Sequence, residues 1–335
     1  MDGLVDWGFW HYLGVIAVIL LAWLLILDRC TRYTIQNKHV LVTGGSSGIG
    51  LSLAKLCAQR GARHITLVAR QKLKLVEAKA AVEQCLRQPA HQQVHTISLD
   101  ITGDLETIQA SLESSITGYG RVDVLINCAG AAVARRFEET SDELHRRMMD
   151  LNYFGGVRLT QVLLPPMKLA ENGLIIFVSS QAGLIGVFGF TAYTAAKFAM
   201  RGFAEALEME VKAHGVGVTV AFPPDTDTPG FAEEEKGKPE ETKLISQSGG
   251  LFHPDAVAKS ILSDALRGRF YSSPGVDGWM LTNVCVGMTH SSLFQVLVQG
   301  ILLGPLRVVG WAYRQYFYAI IRKCRAKRNS EKKHE

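Results

Sequence analysis

From residue 40 onward, short apolar runs alternate with longer stretches of mixed polarity. The runs are Val40–Thr43, Ile65–Ala69, Val94–Leu99, Val122–Asn127, Leu174–Val178 and Val216–Phe222. They are rich in Val, Ile and Leu, as expected of strands buried on both faces. Between them, Ile49–Arg60, Leu73–Leu86, Leu105–Ile116 and Asp142–Met167 have the length of helices. Strands alternating with helices predict an α/β fold, a Rossmann-type doubly wound parallel sheet in a single domain. A helix around Pro254–Leu266 and a short strand around Arg269–Ser272 would close that body. The rhythm breaks at Pro223–Thr242, PPDTDTPGFAEEEKGKPEET, where such folds carry a substrate-covering loop.

The two ends follow a different pattern. Trp7–Leu27 is 21 residues without Asp, Glu, Lys or Arg, enough for a helix to cross a bilayer core. It lacks the basic start and small-residue cleavage site of a signal peptide, so an uncleaved anchor is expected. Arg29, Arg32 and Lys38 follow it, which places the body in the cytosol. Near the other end, Leu293–Leu303 and Val308–Ile321 are apolar but interrupted by Gly300, Gly304, Pro305, Arg307 and Arg314. They read as a pair of helices, either packed in a core or oligomer contact or lying in a membrane. The expected layout is an anchor over 1–36, a dinucleotide-binding domain over 37–275, an apolar membrane-associated segment over 276–321 and a basic cytosolic tail over 322–335.

Charge adds one point. The net charge is +5, and the last 14 residues, with seven Lys/Arg and two Glu, account for all of it. A neutral body argues against a nucleic-acid partner. The six cysteines are scattered without a CxxC, as in a reduced intracellular protein. No HExxH motif or Cys/His cluster suggests a metal. Apolar residues between Tyr193 and Lys212 would serve core packing or a homodimer contact equally well.

Candidate chemistry sits at the predicted strand ends. After the first strand comes TGGSSGIG, whose Gly44, Ser46, Ser47, Gly48, Ile49 and Gly50 would let backbone N–H groups and a helix start hold a pyrophosphate. Arg70 ends the second strand, where an acid would favour NAD and a cation favours the 2′-phosphate of NADPH; Lys74 lies one helical turn on. Asp100 and Asn127 end the third and fourth strands, placed for the adenine and for the surrounding loops. Ser180 follows the fifth strand, and Tyr193 and Lys197 share one face of the next helix. Free phenol ionises near pH 10. An ammonium at 4 Å in a medium of dielectric 20 would contribute ~4 kcal/mol and lower that value by about two to three pH units. Asn152 could hold a water that links Lys197 to solvent, and Thr228 would lie near the cofactor.

Together TGGSSGIG, NCAG, Asn152, Ser180 and YTAAK resemble the short-chain dehydrogenase/reductase family over about residues 37–273. The resemblance implies Tyr193 as general acid/base, Lys197 lowering its pKa and holding the ribose, Ser180 orienting a carbonyl and Asn152 completing a proton relay. Ser179 is the less suitable serine by spacing. One departure is Pro224, where the family usually has glycine. SSQAGLIGVFGFTAYTAAKFAMRGFAEALEMEV and FPPDTDTPGFAEE are similar to the branch that reduces long-chain amino ketones in sphingolipid synthesis at the endoplasmic reticulum. That implies NADPH as cofactor and a lipid-borne amino ketone as substrate. A membrane-anchored retinol or steroid dehydrogenase of the same family is the alternative. The final Lys332 and Lys333 are similar to a dilysine retrieval signal.

Overall fold

The computed structural model describes Ile19, residues 31–289 and residues 291–331. Apart from Ile19, the anchor expected over Trp7–Leu27 lies outside these residues, as does the dilysine pair. Among those described, seven strands form one parallel sheet in the order β3-β2-β1-β4-β5-β6-β7. They are β1 (His39–Thr43), β2 (His64–Ala69), β3 (Gln93–Ser98), β4 (Val124–Asn127), β5 (Gly173–Val178), β6 (Val216–Ala221) and β7 (Tyr271–Ser272). The central strands β1, β4 and β5 are buried along their whole length, which explains their unbroken apolar sequence. Edge strand β3 alternates with exposed positions.

Helices cover both faces. On one side α1 (Gly48–Gln59), α2 (Lys72–Glu83) and α9 (Pro254–Leu266) bury Leu53, Ala54, Leu75, Val82, Ile261 and Leu262 against the sheet. On the other, α3 (Leu105–Ile116), α5 (Gly155–Leu169) and α6 (Thr191–Val211) bury Ile108, Leu112, Leu159, Leu163, Met200 and Leu207. The strand order reverses between β1 and β4, and this switch point opens a crevice at the carboxyl ends of the strands.

The stretch read as one helix, Asp142–Met167, is α4 (Asp142–Met149) and α5 joined through a π turn at Asp150–Phe154. The segment after β6 is not an open loop. It folds as α7 (Pro229–Glu234) and α8 (Glu240–Gln247), with Thr228 capping α7 by accepting from the Phe231 N–H. After β7 comes α10 (Val276–Val284).

The two apolar segments expected near the end form a single helix, α11 (Leu293–Glu331), of 39 residues. Pro305 removes one backbone N–H, yet the helix runs through it. Gly304 before it has no Cβ, which removes one of the contacts that set a proline against a helical predecessor. The described part of the basic tail, Arg322–Glu331, is the last turns of α11 and not a separate strand of coil. It is latched to α8: Lys327 Nζ lies 3.1 Å from Glu240 Oε1, and Arg328 pairs with the fully buried Glu241.

Candidate active site

A cavity of ≈ 940 Å³ opens at the carboxyl ends of the strands and runs from the β1–α1 turn to α11. At one end it is lined by Gly44, Ser46, Ser47, Gly48, Ile49 and Gly50. Gly48 opens α1 at φ +54, in the left-handed region, and a Cβ there would sit 2.8 Å from Thr228 Cγ2. Ser47 is extended and makes no side-chain cap, and the first turn of α1 carries no acid. The N–H groups of that turn are therefore available to an anion, as a pyrophosphate cradle requires.

Arg70, Gln71, Lys74 and Asp100 line the next part of the wall. Arg70 Nη1 lies 3.9 Å from Asp100 Oδ2, and both side chains are at least half exposed. Asp100 also accepts from the Thr102 N–H at 3.0 Å and the Thr102 hydroxyl at 2.8 Å, which holds its carboxylate in place. The two cations fit a phosphate at this end, with Arg70 able to leave its exposed pair at little cost.

At the head of the cavity stand Ser180, Tyr193 and Lys197, all on its wall. Ser180 follows β5 and accepts from the Ala182 N–H at 3.2 Å, and its hydroxyl favours the ionised form of the Tyr193 phenol. Ser179, one residue back, is buried and donates to the Lys197 carbonyl at 3.3 Å, a bond that braces α6 against β5. The two serines are thus separated by the strand's alternation, with Ser180 beside the phenol.

Lys197 donates to the Val178 carbonyl at 3.0 Å, and its Nζ stands 5.5 Å from the centre of the Tyr193 ring. Burial lowers its ammonium from the ordinary lysine range to about 8. Tyr193 moves the other way. Burial pushes its phenol well above the ordinary value, Ser180 opposes the rise, and Glu234 and Asp225 add to it. The lowering of Tyr193 expected from Lys197 is not found: burial dominates, and Ser180 is what opposes it. Tyr193 is held protonated, the state a proton donor needs.

Asn152 and Asn127 lie behind this wall. The π turn brings Asn152 inward, where Nδ2 donates to the Ala131 carbonyl at 3.0 Å and the Met148 carbonyl at 3.1 Å. A Cβ on Gly130 would sit 2.7 Å from Asn152 Oδ1 and 3.4 Å from Lys197 Nζ, so the missing side chain keeps open the gap between them. Asn127, at the end of β4, turns to α5, where Nδ2 meets Thr160 Oγ1 at 3.5 Å. Thr228 lines the cavity beside Gly48.

The structure adds residues that the strand-end motifs did not reveal. Asp225 and Glu234 line the cavity near Tyr193, and Leu281, Cys285, Trp311, Arg314 and Phe317 bring α10 and α11 to its far end. The proline-rich composition of the segment after β6 marked it as a cover, but its pairing of charges is visible only once α7 and α8 are folded. The aromatic and basic residues of α11 carry no motif.

The short chain dehydrogenase family matches residues 38–239 of this chain. A 3-dehydrosphinganine reductase of Danio rerio is 44% identical over 321 residues, spanning 94% of this chain and 96% of that protein. A 3-ketodihydrosphingosine reductase of Mus musculus is 44% identical over 313 residues, spanning 93% of this chain and 94% of that protein. Among solved structures, L-sorbose reductase from Gluconobacter frateurii in complex with NADPH and L-sorbose is similar at 25% identity and a TM-score of 0.61, over 71% of this chain and 94% of that one. A short-chain dehydrogenase from Sphingobium yanoikuyae in complex with NADPH is similar at 26% identity and a TM-score of 0.62, over 71% of this chain and 88% of that one.

Proposed function

Because this chain belongs to the short-chain dehydrogenase family, we propose that it reduces 3-ketosphinganine to sphinganine in sphingolipid synthesis, with NADPH as hydride donor. The observation that carries the chemistry is that Ser180, Tyr193 and the buried Lys197 share one wall of a cavity that begins at the glycine-rich start of α1, with Lys197 Nζ 5.5 Å from the Tyr193 ring centre. The near full-length identity to reductases of this one ketone supports the substrate.

The residues suited to hold the cofactor are Ser46 to Gly50 at its pyrophosphate, Arg70 and Lys74 at a 2′-phosphate, Asp100 near the adenine, and Lys197 and Thr228 towards the nicotinamide riboside. The cofactor supplies the hydride that reduces the carbonyl carbon. Ser180 donates its hydroxyl proton in a hydrogen bond to the carbonyl oxygen and fixes its position against Tyr193. Tyr193 then gives its own proton to that oxygen as negative charge develops there, and the ketone becomes an alcohol. An alkoxide is a stronger base than a phenolate, so even a raised Tyr193 pKa leaves this transfer downhill. Lys197 returns a proton towards the phenolate, and a water held between Asn152 and Lys197 would connect it to solvent. Asn127 supports the floor of the site through Thr160.

Among the described residues one helix, Leu293–Glu331, is long and apolar enough to cross a membrane. Only 6% of its most apolar window is buried. This exposure, together with α11 residues on the cavity wall, supports an enzyme that takes a long-chain ketone from a lipid bilayer. The endoplasmic reticulum, with the catalytic body in the cytosol, is the compartment this reading assigns.

The direct test is NADPH consumption by the purified full-length protein in detergent with 3-ketosphinganine. The wild type is expected to turn over, and Tyr193→Phe to lose at least about 10³-fold in kcat, at the scale of a lost general acid. Undiminished turnover by Tyr193→Phe would overturn the mechanism.

A further inference from the structure

Beside Tyr193, the α7 segment builds a charge cluster that the hydride chemistry does not require. Lys238 is fully buried, with Nζ 2.8 Å from Glu234 Oε1, 2.7 Å from Glu235 Oε1 and 3.9 Å from Asp225 Oδ2. The same ammonium lies 5.0 Å from the Phe231 ring centre and 5.7 Å from that of Phe190. Phe190 in turn packs on Tyr193, with ring centres 5.5 Å apart. The arrangement is a box of carboxylates and aromatic faces built for an ammonium.

One lysine against three carboxylates leaves two negative charges in surplus. Glu234 Oε1 is buried and faces Lys238 without the angle of a hydrogen bond, so its acceptor capacity is not used up. Asp225 and Glu234 both line the catalytic cavity and both act electrostatically on the Tyr193 phenol. This placement works against the reaction of a neutral ketone. Fixed negative charge next to the site opposes the negative charge that develops on the carbonyl oxygen. The cluster makes chemical sense if a second cation arrives with the substrate.

Building on the proposed function, we infer that Glu234 and Asp225 recognise the ammonium group carried on the carbon next to the reacting ketone. These two residues would then set the specificity for long-chain 2-amino ketones over ketones without the amine. Lys238 is the resident cation that holds the carboxylates in position. The incoming ammonium balances their remaining charge and shields the developing alkoxide from them. Pro223 and Pro224 stiffen the turn that presents Asp225 from the end of β6.

The test compares two ketones of equal chain length, 3-ketosphinganine and its analogue with a hydrogen in place of the amine. It uses the full-length wild type, Glu234→Gln, Asp225→Asn and Glu234→Asp. The kcat/KM ratio between the two ketones is expected to fall about 10- to 100-fold in Glu234→Gln and Asp225→Asn, the scale of a charge-assisted hydrogen bond. The fall should appear in KM, and Glu234→Asp should recover part of the ratio. An equal loss on both ketones would overturn the inference and leave the carboxylates a structural role. Inhibition by sphinganine, which keeps the ammonium, provides a second readout. Its inhibition constant should rise in Glu234→Gln while that of the corresponding long-chain alcohol stays put. A wild type that reduces the deaminated ketone but not the amino ketone would instead overturn the proposed function.

Discussion

At Lys197 the balance of forces is set by a single buried charge. Its ammonium loses its proton as pH rises through about 8, while Tyr193 stays protonated well beyond that. The cation is therefore present below that pH and lost above it. Reduction is expected to fall on the alkaline side with an apparent pKa near 8, set by Lys197 and not by Tyr193. Lys197→Arg should abolish that alkaline limb at a lower maximal rate, because a guanidinium stays charged throughout. A pH–rate profile of both proteins checks this; an unmoved limb would assign it to another group. Arg70 governs a different property. Arg70→Asp is expected to weaken NADPH by about 10- to 100-fold while sparing NADH, since a charge-assisted contact to the 2′-phosphate is lost and a repulsion gained. Equal loss for both cofactors would remove Arg70 from the phosphate site. These residues stand out in the sequence because Arg70 directly follows a strand and Tyr193 and Lys197 lie four apart on one helix. The sign of the Tyr193 shift does not, because burial depends on how α6 packs and no local spacing records it.

Among the elements, the latch between α8 and α11 joins the cover of the cavity to its far wall. Glu241 is fully buried between Arg136 Nη2, at 3.7 Å, and Arg328. Removing Glu241 takes the shared acceptor from two arginines that stay partly solvated, so Glu241→Ala is expected to cost about 1–3 kcal/mol. Thermal unfolding would measure the cost, and faster proteolysis within α8 would localise it. A second cluster lies at the opposite edge of the sheet. His64 Nδ1 is 3.3 Å from His95 Nε2, and His95 stacks on Tyr119 with ring centres 3.5 Å apart. Burial brings His95 from its ordinary 6.5 down to about 4, with the neighbouring histidines and Lys79 adding to the fall. Between those values the unfolded chain holds a proton that the folded chain lacks. Stability is thus complete above pH 6.5 and declines as pH falls towards 4. His95→Gln should flatten that acid limb in denaturant titrations; an unchanged limb would place the sensitive group elsewhere. The alternation of β and α was readable because the buried strands are continuously apolar. The joining of two apolar segments into α11 was not, because Gly304-Pro305 has the local signature of a helix break.

For the whole molecule, the chain resolves into a cofactor cradle at one end of a cavity and an exposed apolar helix at the other, with Tyr193 between them. The glycine-rich turn and the Ser180, Tyr193 and Lys197 set are local motifs in the sequence, and the structure brings them onto one cavity. The carboxylates around Lys238 and the α11 wall arise from segments far apart in the chain meeting in three dimensions, so only the fold exposes them. The central claim is that hydride passes from NADPH to the C3 ketone of a long-chain amino ketone while Tyr193 supplies the proton. The most direct measurement uses NADPH deuterated at both C4 positions of its nicotinamide, 3-ketosphinganine and the full-length protein, with mass spectrometry of the product. Sphinganine bearing the deuterium at C3, formed by the wild type and lost in Tyr193→Phe, is the expected result. Sphinganine formed without the label, or formed as fast by Tyr193→Phe, would contradict it.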